Sequence, residues 1–119
     1  AGFIYQMYGY GLIRERELHA EAGFHPLKVI QHCTGNNARI LGREADLGRV
    51  RVGFAADLIV VDGNPLEDLK TLYPTHQIQL RDGKEVRAGL EWTIAGGVPY
   101  HVPTVSARIK QIVDEAKRK

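Results

Sequence analysis

The spacing of apolar and polar residues changes twice along this chain and divides it into three stretches. From Gly11 to Ala22 it is dense in good helix formers. Leu12, Ile13 and Leu18 supply apolar positions there, and Arg14, Glu15, Arg16 and Glu17 a solvent face. Gly23 follows, where a helix-ending glycine belongs. A second helix opens at His25-Pro26, because proline in the first turn loses no hydrogen bond. Leu27, Val29 and Ile30 are its expected buried side. Thr34-Gly35-Asn36-Asn37 is rich in capping residues, which predicts a break at Thr34. A third short helix is then expected from Ala38 to Leu41, ended by Gly42.

Beyond Gly42 the pattern becomes strand-like and is punctuated by glycine as far as Val102. Gly48-Arg49-Val50 reads as a short strand or turn and Gly53 to Ala56 as a turn. Asp57 to Asp62 is a β-branched run between turn residues, the pattern of a buried strand. Asp62-Gly63-Asn64-Pro65 is a loop, and Leu66 to Leu72 has room for one helical turn. Gln77 to Leu80, then Asp82-Gly83, then Glu85 to Ala88 spell a β-hairpin. Glu91 to Ile94, Gly96-Gly97 and Val98 to Val102 spell another. Helical spacing returns from Val105 to Ala116, with Val105, Ile109, Ile112, Val113 and Ala116 on one face and Pro103-Thr104 as a start signal.

Composition narrows the class. The 119 residues are 44% hydrophobic and 25% charged, which excludes a disordered chain and suits one domain, or a small domain with an appendage. Sixteen Lys and Arg against fourteen Asp and Glu are interspersed, giving +2, so no nucleic-acid partner is expected. Lys117-Arg118-Lys119 reads as a solvated terminus. No apolar run approaches the ~20 residues that span a bilayer, and the N-terminal AGFIYQMYGYG lacks the basic region and long apolar core of a signal peptide. A single cysteine, Cys33, forms no internal disulfide and fits a reducing compartment, so a cytoplasmic location is expected. The absence of an initial Met suits a piece of a longer reading frame.

Local chemistry is sparse. His19, His25, His32, His76 and His101 show no HxH, HExxH or Cys-x2-Cys spacing. His32 and Cys33 are adjacent and point about 100° apart on a helix, which favours a surface histidine beside a small buried thiol over a shared metal. Ser106 is the only serine, and there is no G-x-S-x-G. Gly9-Tyr10-Gly11 and Gly96-Gly97 read as turns, because neither has the context of a phosphate loop. Asp57 and Asp62 stand about 16 Å apart on an extended strand and on opposite faces, too far to act as a pair. Asp57 reads as a structural acceptor of turn N–H groups and Asp62 as a turn residue before Gly63.

Two longer stretches carry more. Residues 23–42, GFHPLKVIQHCTGNNARILG, and residues 47–68, LGRVRVGFAADLIVVDGNPLED, in this order and spacing, resemble the C-terminal region of the amidohydrolase superfamily. The similarity is to its imidazolonepropionase-like and prolidase-like branch, which carries G-x-x-P-x-x-x-I-x-x-x-T-x-N-x-A-x-x-L-G and then G-x-x-x-x-G-x-x-A-D-L-x-V-x-D. Gly35-Asn36-Asn37 departs modestly from the first pattern.

The resemblance implies an α+β fragment. Residues 1–42 would be helices following the last strand of a TIM-type (β/α)8 barrel, 43–102 part of a small composite β-sandwich, and 103–119 a C-terminal helix. It implies a hydrolase of amide or peptide C–N bonds, using a water activated by a divalent metal, zinc being expected in the full-length parent. Ala1 would stand just past the family's metal-binding aspartate, with the HxH motif, the lysine and the later histidines further upstream. On this reading the chain has no metal ligand, no catalytic residue and no cofactor of its own, and is inactive alone. Gly2, Phe3 and Tyr5 would line the mouth of the substrate pocket, and Tyr8 and Tyr10 suit that loop or the core equally. Without the barrel, apolar helix faces would be exposed, so the expected partner is the missing barrel or a second copy, paired through the open edge of the β block.

Two rival readings stand beside this one. The chain would be a stand-alone, non-catalytic, self-associating module or relic, or a small enzyme using Cys33 or an unsuspected histidine cluster.

Overall fold

In a computed structural model, described over residues 11–75 and 77–118, the chain forms two compact units. One comprises described residues up to 54 together with Leu66–Leu69, and the other 55–65 and 70–118. The predicted positions of Gly2, Phe3, Tyr5, Tyr8, Tyr10 and His76 lie outside the described residues.

The first unit is helical. α1 runs Gly11–Glu21 and ends before Gly23, whose φ of 87° lies in the left-handed region open to glycine. α2, Pro26–Gln31, starts on proline, and the ring Nδ1 of His25 accepts the N–H of Leu27 at 3.3 Å as its cap.

The expected break at Thr34 does not occur. The helix widens instead into a π turn over His32–Asn36 and runs on as α3, Asn37–Ile40. The Thr34 hydroxyl donates to the Ile30 carbonyl at 2.8 Å, so this side chain bonds back along its own helix rather than capping a new one. Gly42, at φ 66°, closes the segment.

Burial in this unit also departs from the pattern. Val29 and Ala38 are buried, but Leu27 is exposed and Ile30 only half-buried. Arg16, assigned to the solvent face, is buried, while Leu12 and Leu18 are exposed. Charged residues alone therefore do not mark the outer side of α1. Its neighbours Arg14, Glu17 and Glu21 form surface ion pairs at 3.1 Å.

The second unit is a four-stranded antiparallel sheet with a helix. β1 is Leu58–Asp62, β2 Gln77–Arg81, β3 Lys84–Ala95 and β4 Val98–His101, followed by α4, Val102–Lys117. β3 pairs with all three others. Both hairpins turn on two residues with positive φ: Asp82 at 51° and Gly83 at 75°, and Gly96 at 55° and Gly97 at 82°. That is the mirror-image turn whose twist matches antiparallel strands.

Two strands expected on either side of Gly89 are one. Gly89 sits at φ 149°, a conformation open to glycine, so the backbone passes through it without ending the ladder. The register against β1 slips just beyond: Val60 faces Trp92 and Val61 faces Leu90, leaving Glu91 as the extra residue of a bulge.

β1 forms where expected but is not a buried strand. Ile59 and Val60 remain about half exposed, because these side chains lack a covering layer within the unit. Between β1 and β2, Leu69–Leu72 makes one 3-10 turn, with Thr71 and Leu72 buried. Among the described residues the buried apolar side chains are Val29, Ala38, Leu72, Ala88 and Val102, a small core for so many apolar positions.

Candidate functional site

The helical unit holds a shallow cleft lined by Leu12, Glu15 and His19 from α1 and by His32, Cys33, Asn36, Asn37 and Ile40 from the π turn and α3. Its shape follows from the local sequence. His19 lies in the last turn of α1, Gly23 reverses the chain, and the π turn presents His32 and Cys33. The rings of His19, Phe24 and His32 pack as a trio, with centroids 5.2 Å apart for His19–His32, 5.0 Å for Phe24–His32 and 5.8 Å for His19–Phe24. Edge-to-face packing of this kind stabilises the helix junction. The sequence reading missed the trio because its members are 5, 8 and 13 positions apart and meet only through the reversal at Gly23.

Hydrogen bonding fixes one ring. A backbone carbonyl only accepts, so His19 Nδ1–H donates to the Glu15 carbonyl at 2.8 Å. Neither ring bonds to the Cys33 thiol. Burial pushes that thiol above its ordinary range; Arg16 opposes the shift and Glu15 adds to it. A reactive cysteine needs the opposite shift, toward thiolate, and the surroundings of half-buried Cys33 do not favour it.

The second unit carries a polar cluster where β3 and β4 meet α4. The Trp92 and His101 rings pack with centroids 4.7 Å apart and planes tilted by 44°, on residues paired across the ladder. His101 Nε2 lies 3.6 Å from a carboxylate oxygen of Glu91, the bulge residue, and Nδ1 shares a hydrogen bond with the Thr104 hydroxyl at 2.7 Å. The strand end and the first turn of α4 are thus tied through one imidazole.

Asp57 plays the structural role its sequence suggests. Its Oδ1 accepts the Gly96 N–H at 2.7 Å, and the adjacent Ala56 carbonyl accepts the Gly97 N–H at 3.0 Å. Asp62 faces Arg81 across the sheet with an ion pair at 2.8 Å, a partner not legible from its place before Gly63.

These groups do not fit a catalytic metal. Such a site needs about three converging protein donors. Among the described residues no three His, Cys, Asp or Glu side chains are placed to hold one ion. His19 and His32 pack ring edge to ring face, and Cys33 keeps its proton beside them. Within the described residues, then, the side chains bind helices and strands to one another. No described helix is long and apolar enough to cross a membrane.

Comparison with known proteins gives the context. Ochratoxinase of Aspergillus niger, and its counterparts in two strains of that fungus, are 43% identical to this chain over 49 residues. That segment is 40% of this chain and 10% of the relative, so the match spans about a tenth of those proteins. No solved structure matches significantly. The sequence pattern of the Amidohydrolase family matches residues 7–89, a span that takes in α1 to α3, β1, β2, the Asp82-Gly83 turn and the first half of β3. With well over half of its length inside that pattern, the chain belongs to the amidohydrolase family.

Proposed function

We propose that this chain is the C-terminal portion of a hydrolase of the imidazolonepropionase-like and prolidase-like branch, acting on amide or peptide C–N bonds. The observation that carries the reading is the family match over residues 7–89, which includes both quoted motifs. In this reading α1 to α3 follow the last strand of a TIM-type (β/α)8 barrel, β1 to β4 belong to a small composite β-sandwich, and α4 is the terminal helix. The open surface of the helices supports it. Leu27, Ile40 and Leu41 are exposed, as helices are when the body they cover lies elsewhere.

In the whole enzyme a divalent metal, zinc being the expected ion, would supply the activation of water for hydrolysis. Ligands for that ion come from the barrel and not from this chain. Gly2, Phe3 and Tyr5 then lie at the pocket mouth, and the isolated chain is inactive. The whole protein is cytoplasmic. Its substrate selectivity resides mainly in barrel loops, so the name of the matched relatives does not fix the substrate here.

The test has two arms. The purified 119-residue chain, dialysed against zinc, is analysed for bound metal and assayed on dipeptide and N-acyl amino acid substrates. Substoichiometric zinc and no turnover are expected; one tightly held zinc per chain, or turnover that survives repurification, overturns the reading. The second arm sequences the codons before Ala1. A continuous frame encoding HxH supports the proposal, and a stop codon in that frame overturns it.

A further inference from the structure

α4 is exposed along nearly its whole length. Only Val102 is buried, and every residue from Thr104 to Arg118 is exposed to solvent. A 16-residue helix of about 24 Å with so little support is marginal in water, because helical stability comes chiefly from packing an amphipathic face. That face exists. Val105, Ile109, Ile112 and Val113 form one stripe, continued by Ala116, and they are 44%, 57%, 58% and 43% exposed.

We propose that this stripe is a self-pairing surface, on which a second copy of the chain docks its own α4 antiparallel. The spacing of Val102, Val105, Ile109, Ile112 and Ala116 alternates three and four residues, the repeat of a two-helix seam. In the antiparallel register Ile109 meets Ile112 of the second copy, and Val105 meets Ala116.

Charge selects this occupant and this direction. Arg108 and Glu115 border the stripe on the same side, each one residue before a seam position. Among the described residues neither side chain is engaged in an ion pair. Antiparallel pairing sets Arg108 opposite Glu115 of the second copy, and two-fold symmetry repeats the pair. Parallel pairing would set Arg108 against the apolar Val113 and form neither pair. On the other side the seam is edged by Ser106 and by Val113, the stripe's own outer residue, neither of which is charged. The stripe is therefore flanked by its own complement, which an arbitrary partner surface need not match.

Sedimentation velocity on the 119-residue chain, with reductant present to keep Cys33 from cross-linking, tests this directly. A monomer–dimer equilibrium is expected, with helical circular dichroism falling as dilution frees α4. Ile109→Asp should leave a monomer. Arg108→Glu places two like-charge pairs beside the seam and should weaken dimerisation about tenfold. The double exchange Arg108→Glu with Glu115→Arg should restore it to within about threefold of the parent. Both exchanged positions are exposed, so folding is not at stake. A chain that stays monomeric up to about 0.2 mM, well above a micromolar dissociation constant, overturns the proposal. So does a dimer indifferent to Ile109→Asp, or a charge reversal that the double exchange fails to rescue. None of these readouts depends on hydrolytic activity, so the proposed function stands or falls separately.

Discussion

Asp57 accepts a 2.7 Å hydrogen bond from the backbone N–H of Gly96, a residue 39 positions later in the chain. The bond pins the entry of β1 to the tip of the β3–β4 hairpin, beside the Gly97-to-Ala56 backbone bond that closes the same junction. A carboxylate suits the place, because a two-residue turn with both φ values positive points its N–H groups outward.

Replacing Asp57 by Ala removes the acceptor and should destabilise the chain by about 1 kcal/mol, below the range for a buried charge-assisted bond because the side chain is exposed. Asp57→Asn keeps an oxygen acceptor and should lose roughly half as much. Urea unfolding followed by Trp92 fluorescence reads both. Equal stability of Asp57→Ala and the parent would contradict the assigned role.

Gly48 admits no side chain. A Cβ there would lie 2.8 Å from that of Ala38 and 2.9 Å from the Thr34 carbonyl oxygen, and φ is 81°. Gly48→Ala therefore combines overpacking with left-handed strain and should cost about 3 kcal/mol. Gly53, at φ 87° with open space around it, isolates the conformational part, and Gly53→Ala should cost about 1 kcal/mol. The difference between the two urea midpoints measures the close approach of the 48 loop to the π turn.

The raised Cys33 thiol has a sign that can be checked. A folded-state pKa above the unfolded value leaves stability intact below about pH 8.5. Stability then falls as pH rises toward the folded pKa, because unfolding releases the proton. Cys33→Ala should flatten that alkaline decline. In the parent, iodoacetamide at pH 8 should label Cys33 several-fold more slowly than in the urea-unfolded chain. Equal labelling rates, followed by mass spectrometry, would contradict the burial argument.

On the acid side, hydrogen bonds from Arg43 hold the Asp46 carboxyl below its ordinary range. Their contribution is present above the unfolded carboxylate pKa, about 3.9. It is lost as pH drops through the folded value. The pair is exposed, so salt screens it. Asp46→Asn should lower the thermal midpoint slightly at pH 6 and leave it unchanged at pH 2, and the pH 6 difference should shrink in 1 M NaCl.

Local signals located most elements. The Asp-Gly and Gly-Gly turns, the proline at the start of α2 and the glycines after α1 and α3 act on the residues beside them, and the backbone follows them. Asp57 was legible as a turn acceptor for the same reason, although its donor at Gly96 was not. Thr34 shows where local signals stop. A threonine beside Asn36 and Asn37 favours a cap, yet its hydroxyl has an acceptor four residues back at Ile30, and the helix continues as a π turn.

Two things the sequence determined by itself: the family, through motifs read position by position, and the succession of helices, strands and terminal helix, through period and punctuation. Burial was decided by tertiary structure alone. Leu27 and Arg16 exchanged their expected environments, and β1 kept its strand while leaving Ile59 and Val60 half open. The ring trio of His19, Phe24 and His32 likewise arose from a chain reversal rather than a spacing. The physical reason is common to all three. Period reports which side of an element is able to be buried, whereas actual burial needs a neighbour, and neighbours are set by how distant segments meet.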